Sequence, residues 1–425
     1  MSRPRAASLA AIFAVVFIDL LGFGIVLPLL ARYGERFEAD AWLGPLVASF
    51  SAMQFLFAPL WGRLSDRIGR RPVLLVGLAG SAACYALFGV ATGMEPDATL
   101  LGLSPLAWLF VSRIGAGIAG ATIPTAQAYI ADVTGPAERT KGMALIGIAF
   151  GTGFTFGPIL GAAFVSDDPS APPSPYPGYL AAGLSAAAFV AALAVLKEPE
   201  RHAARAAARP AGRWRLLRDS VRLAVVGEIF LTTAAFAMFE STLALLSARF
   251  GYSDRDNFYL FAFVGATLIV AQGVLVRRIA PARLRQLVPA GLAILAVGLS
   301  SLGLLAAGWV SAPAALYAAL AACVVGVSFV SPSLQSLLSL TTPGDRQGAM
   351  LGLGQSAAAL ARIAGPVAGI WLFQRSAPLA YAAAAGVIAV SLAAMIPVLA
   401  TIRNRAAHPE PPATTIAPPV RAAAE

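Results

Sequence analysis

The stretch Gly62-Arg63-Leu64-Ser65-Asp66-Arg67-Ile68-Gly69-Arg70-Arg71-Pro72 carries five charges in eleven residues, set between two long apolar runs. Each flanking run has about the length that crosses a bilayer core as a helix. A charged segment this short between two such runs reads as a hairpin on a membrane face. The same kind of run recurs along all 425 residues, of which 58% are hydrophobic and 12% charged. Soluble domains carry roughly 25% charged residues. A spanning segment must satisfy its own backbone, which leaves helices or a closed barrel. Continuous rather than alternating apolar runs select helices. The expectation is an all-α membrane protein.

Twelve spans are expected, at 8–30, 42–61, 73–93, 106–129, 142–165, 178–196, 221–247, 257–276, 286–307, 313–340, 348–373 and 378–400. Arg3 and Arg5 before an apolar run resemble a secretory signal, but the run reaches Leu30 and contains Asp19, so it reads as a retained first span. Most Lys and Arg residues fall on the face that bears the chain's start, the 63–71 hairpin and the 197–222 segment. The opposite face holds only Arg32, Arg36, Arg249, Arg255 and Arg375, with Arg113 and Arg362 left inside the membrane. The asymmetry predicts both termini in the cytosol. It also accounts for the net charge of +10 without a nucleic-acid partner. The basic segment at 197–219 divides the chain into a six-helix bundle at 1–196 and a second at 220–402, followed by a disordered, Pro- and Ala-rich tail at 403–425. Arg201, Arg205, Arg209 and Arg213 recur every four residues and either line a lipid-facing helix or form a solvated linker. Arg far outnumbers Lys, which suggests a GC-rich prokaryote and hence a bacterial cytoplasmic membrane.

Function classes narrow on the same residues. Cys84 and Cys323 fall inside spans and His202 and His408 outside them, which argues against disulfides, an intramembrane metal site and His-dependent hydrolysis. A nucleophile–base pair at depth is not visible, so an enzyme is not expected, and neither is a cofactor. A receptor would need a structured sensory domain, and the segments between spans are too short for one.

The halves echo one another. Pro124-Thr125-Ala126-Gln127 matches Pro332-Ser333-Leu334-Gln335, and Gly157-Pro158-Ile159-Leu160-Gly161 matches Gly365-Pro366-Val367-Ala368-Gly369, at one common offset. Arg139 and Arg346 fall in the corresponding short loops. A six-span parallel repeat implies a substrate site near the midplane between the halves and alternating access by rocking.

Ionisable groups inside spans cost about 2.5–3.5 kcal/mol on insertion scales, so each is a functional candidate. Asp19, near the middle of span one, is the first choice for carrying a proton, because a carboxyl group moved between wet and dry surroundings changes its proton affinity. Arg113 lies six residues, ~9 Å, from the outer end of its span and is the expected partner of Asp19. A static pair locking spans one and four is the alternative. Glu240 is a second proton site or an acid snorkelling to the outer surface. Arg362 either neutralises a carboxylate from span one or seven or attracts an anionic substrate. Glu228 reads as a charge at a helix start. Gln54, Gln127 and Gln335 offer donors and acceptors either to a substrate or between helices. Phe23, Phe156 and Phe236 either line a greasy pocket or face lipid. The glycines at 115, 117 and 120 permit close helix packing.

Taken together, these residues resemble the major facilitator superfamily. Gly62, Asp66, Arg67, Gly69, Arg70 and Arg71 follow the Gly-x-x-x-Asp-Arg-x-Gly-Arg-Arg pattern of its loop between spans two and three. Gly153-x-x-x-Gly157-Pro158-x-x-Gly161-Ala162 is similar to the helix-bending motif of the drug–proton antiporter branch, with Ala162 where Gly is usual. Asp19 in Phe17-Ile18-Asp19-Leu20-Leu21-Gly22-Phe23-Gly24 resembles the first span of tetracycline efflux proteins. Phe239-Glu240-Ser241-Thr242 and Gln272-Gly273 resemble a tetracycline-transporter-like group that includes organic-anion carriers. Span three lacks the acidic residue of the well-known tetracycline exporters, and Arg277 stands where Asp66 would align in the second half. The resemblance implies a gate in which Asp66 sits against the start of span eleven near Gly348 and Arg70 pairs with Asp132, with Arg139 nearby. It implies a monomeric, proton-driven exporter of hydrophobic or amphipathic small molecules, with protons and membrane lipids as further partners. An organic-anion or sugar facilitator and a non-transporting receptor are the alternatives.

Overall fold

The computed structural model describes residues 3–134, 136–168, 171–199, 219–272, 284–309, 312–342 and 347–407. Fourteen helices make up the described chain. Span one is α1 (Arg3–Val26), a 3-10 turn (Leu27–Leu29) and α2 (Leu30–Arg36). Pro28 lacks an N–H, which accounts for the interruption. Spans two and three are α3 (Asp40–Ile68) and α4 (Arg70–Gly93). Span four is split into α5 (Pro105–Ala119) and α6 (Ile123–Val133), and spans five and six are α7 (Pro136–Ala162) and α8 (Tyr176–Val195). The second half comprises α9 (Ser220–Arg249), α10 (Asp254–Val270), α11 (Leu284–Ala306), α12 (Pro313–Leu340), α13 (Gln347–Arg375) and α14 (Ala377–Ala407).

Ten described spans are long and apolar enough to cross a membrane. The remaining two expected spans correspond to α7, whose apolar part is Ile148–Ala162, and to α10, with 17 described helical residues. The boundaries differ most at the charged hairpin. Both flanking helices run into it, and Gly69 alone is non-helical, at φ 112°. Only glycine takes that backbone conformation readily. The last span also extends to Ala407, into what reads as tail from sequence. The linker arginines, Arg277, Arg346 and residues 408–425 lie outside the described residues.

The glycine motifs pack helices rather than end them, and α7 continues through Pro158 to Ala162. A Cβ on Gly153 would lie 2.9 Å from Leu20, and one on Gly157 would lie 2.9 Å from the Leu21 carbonyl, so α7 rests on the α1 backbone. The second half repeats this: Cβ atoms on Gly365 and Gly369 would meet Ala234 and Met238 of α9 at 2.7 and 2.9 Å. Span five thus packs on span one as span eleven packs on span seven, which gives the sequence repeat its physical meaning.

The two halves close on each other at the face opposite the hairpin. Asn257 donates to the Pro28 carbonyl at 2.8 Å, a group exposed by the break in span one. Arg32 donates to Asp254 at 2.8 Å, and Arg255 binds Asp167 and the carbonyls of Ala162 and Val165. Gly161 stands against the Phe258 ring. Toward the hairpin face the halves separate around a cavity.

Candidate functional site

The cavity has a volume of about 700 Å³ and is lined from both halves. The first half contributes Gln127 on α6 and Phe150 and Phe154 on α7. The second half contributes Thr232, Thr233, Phe236 and Glu240 on α9, Gln272 beyond α10, Ser331 and Gln335 on α12, and Gln355 and Arg362 on α13. Lining residues reach Ile229, Leu338 and Leu351 near the hairpin-side ends of their helices. With the far face bridged, the cavity faces the hairpin side.

Glu240 and Arg362 are the charged residues among those lining the cavity. Arg362 is exposed to the cavity and Glu240 half-buried in its wall. Their charges act on each other, without an ion pair within 4 Å among the described contacts. Arg362 thus lies both near the span-seven carboxylate and in the cavity wall, the places its two expected roles require. Glu240 also lines a second, small pocket whose other walls are Leu27, Leu30, Ala31, Leu43, Val47, Ser241, Ala244 and Phe261. It therefore lies at depth, not at the outer surface.

Asp19 occupies a different place. Its Oδ1 accepts a hydrogen bond from Ser81 at 3.0 Å, and it is not among the cavity-lining residues. Arg113 does not pair with it, contrary to expectation. The Arg113 guanidinium is 1% exposed and lies over the rings of Phe50 and Phe23, at 4.6 and 5.7 Å from their centroids. Its Nε and Nη1 have no hydrogen-bond partner among the described residues. Aromatic faces attract a guanidinium, and here they hold it instead of the carboxylate.

Other expectations sort between cavity and packing. Gln127, Gln335 and Phe236 line the cavity. Gln54 instead donates to the Gly120 carbonyl at 3.2 Å, satisfying backbone at the break in span four. Phe23 packs on Phe50 and Phe154, and Phe156 is 48% exposed and not among the cavity-lining residues. Glu228 is no interfacial charge: it is 3% exposed and accepts from Thr232 at 2.9 Å. Gln355 and Thr232 were not singled out by sequence, because only the helix rotation decides which polar residues face inward.

At the hairpin, Arg70 pairs with Asp66 at 2.5 Å and with Asp132 at 3.1 Å, and donates to Ser65 at 2.6 Å. The Asp66 side chain is 63% exposed. Among the described residues no Cβ contact constrains Gly62, and Arg71 donates to the Leu193 carbonyl at 2.8 Å. The Arg139 side chain and the surroundings of Gly348 lie outside the described residues. Sequence reading missed Glu198. Its two carboxylate oxygens accept the backbone N–H groups of Arg70 and Arg71, at 2.7 and 2.8 Å, so it caps α4 from the end of the first half.

The comparisons agree with this architecture. The family model described as Major Facilitator Superfamily matches residues 12–366. The chain is 29% identical over 388 residues to the class D tetracycline resistance protein of Salmonella ordonez, covering 88% of this chain and 91% of that one. It is 30% identical to major facilitator superfamily domain-containing protein 10 of Bos taurus, covering 86% of each. The crystal structure of the human organic anion transporter MFSD10 superposes with a TM-score of 0.67 at 27% identity, covering 93% of this chain and 100% of that chain. The chain belongs to the Major Facilitator Superfamily and is a multi-pass membrane transporter of that family.

Proposed function

We propose that this transporter exports hydrophobic or amphipathic small molecules in exchange for protons, by alternating access across a bacterial cytoplasmic membrane. The observation that carries this reading is the cavity itself. It lies between the two halves, is closed on one side, mixes aromatic and amide side chains, and has one carboxylate and one guanidinium among its described lining. Aromatic walls suit apolar bodies, amides adapt to varied polar groups, and an intramembrane carboxylate can load and release a proton. Asp19 and Glu240 are the carboxylates at depth available for that role. The similarity to tetracycline resistance proteins supports export. The proton gradient supplies the energy, no cofactor is required, and the working unit is a monomer.

Organic-anion exchange is the second reading, favoured by Arg362 in the cavity wall and by the 27% identity to a human organic anion transporter. A compound panel in proteoliposomes separates the two. Export coupled to protons gives compound-evoked alkalinisation or acidification with cationic and neutral amphipaths. Transport of organic anions alone, without proton movement, contradicts the first reading.

A further inference from the structure

Two loop tips on the far face present large apolar side chains that none of the described residues covers. The first joins α4 to α5. Leu100 and Leu103 exchange backbone hydrogen bonds at 3.0 Å each way, which closes a two-residue turn on Leu101 and Gly102. Both turn residues have positive φ, 51° and 77°. Asn and Gly suit such a turn, and a leucine there costs backbone energy. The Leu101 side chain is even so 86% exposed, with Leu100 and Leu103 exposed beside it. The turn is a fixed extension of span four. The Trp108 indole N–H donates to the Leu100 carbonyl at 2.9 Å, and Ser104 caps α5 by accepting from the Ala107 N–H.

The second tip joins α11 to α12. Gly308, at φ 77°, terminates α11, and Trp309 after it is 79% exposed. Trp309 stands at the same offset from Leu101 as Gly365 does from Gly157, so the repeat puts the two tips at equivalent places in the two halves. Each tip residue comes four positions before the proline that opens the next span, Pro105 or Pro313. Residues 98–104 and 307–312 hold no charge, whereas Glu95 and Asp97 are exposed at the base of the first loop. Trp42 and Tyr176, 59% and 62% exposed, also stand at far-face ends of spans, where aromatic rings favour the headgroup level.

We propose that the two tips are paired lipid anchors, one in each half, inserted at the boundary between headgroups and acyl chains of the far leaflet. The occupant is bilayer lipid because the tips continue the surface that already faces it: each adjoins the end of a span, is uncharged, and carries residue types that bury at this boundary. Burial there gives a leucine held at positive φ its use. The pair sets the depth of both halves at the far face while their hairpin-side ends separate and close. Neither cargo nor coupling ion enters this assignment.

The test uses the full-length chain with Cys84→Ala and Cys323→Ala in proteoliposomes. It carries Leu101→Cys, Trp309→Cys or, as the wet reference, Asp97→Cys, each labelled with the fluorophore NBD. Lipids brominated near the top of the acyl chain detect insertion, and iodide on both sides of the membrane detects water. Bromolipid quenching at the Leu101 and Trp309 positions is expected to exceed that at Asp97 by at least about threefold, with iodide quenching correspondingly weaker. Adding Leu100→Ser and Leu103→Ser is expected to weaken bromolipid quenching at Leu101. Quenching unchanged by those two serines would assign insertion to the dye and overturn the first anchor. Tips quenched by iodide as strongly as the Asp97 position overturn both anchors. Protection from both quenchers that grows with the protein-to-lipid ratio overturns them in favour of contact between copies of this chain. An inserted Leu101 beside a wet Trp309 overturns the pairing.

Discussion

At the scale of single residues, the intramembrane charges were legible because each is expensive in a bilayer and therefore conspicuous. Their partners were not. Arg113 and Asp19 lie at compatible depths, but rotation about the helix axis decides what a side chain meets, and Arg113 turns to Phe50 and Phe23. An unpaired buried guanidinium is costly, so an apolar side chain of similar length is tolerated there. Arg113→Met is expected to change unfolding stability by about 2 kcal/mol or less, the size of a desolvated cation–π contact. Thermal or denaturant unfolding in detergent measures it, and a loss of about 3–5 kcal/mol would reveal a buried ion pair instead. Gly161 makes a sharper case. A Cβ there would lie 2.2 Å from the Phe258 ring, so Gly161→Val should hold the far face apart. Ser331→Cys in the cavity, in a background lacking Cys84 and Cys323, should then react faster with an impermeant maleimide added from the far side. Unchanged labelling would show that the ring moves aside.

At the scale of elements, the positions of the spans followed from hydropathy, and their ends did not. The charged hairpin contains no extended loop, because Arg and Asp are accommodated on helical turns at the membrane face and only Gly69 needs special backbone geometry. Glu198 escaped notice for a related reason: a carboxylate after a span looks like solvated linker until the N-terminus of α4 is seen beside it. Its removal leaves two backbone N–H groups without their acceptor. Capping losses cost about 0.5–2 kcal/mol. Glu198→Ala should accordingly speed amide exchange at Arg70 and Arg71 by roughly 2- to 30-fold, with distant amides unaffected. The opposite strap is built from one turn of α10. The Ser253–Asp256 capping box fixes its entry, and Asp254, Arg255 and Asn257 reach across to the first half. Asp254→Asn combined with Asn257→Leu should favour the state open to the far side, again read as faster maleimide labelling of Ser331→Cys from that side. Equal labelling would assign closure to apolar packing alone.

At the scale of the whole molecule, the repeat was legible because Gly-Pro motifs recur at one offset, and the structure translates it into span five on span one and span eleven on span seven. The conformational state was not legible, since one sequence serves both ends of the transport cycle. Here the far face is strapped, Asp66 is exposed, and the cavity faces the hairpin. An exposed Asp66 on the open side is what the proposed latch would show in this half of an alternating cycle. Coupling then requires that protons drive the alternation. The most direct measurement imposes an inside-acid pH gradient on proteoliposomes at zero membrane potential and follows external ethidium. Proton exchange predicts uptake of external ethidium into the interior against its own gradient, abolished by nigericin. Simple equilibration of ethidium, the same with or without the pH gradient, would contradict it.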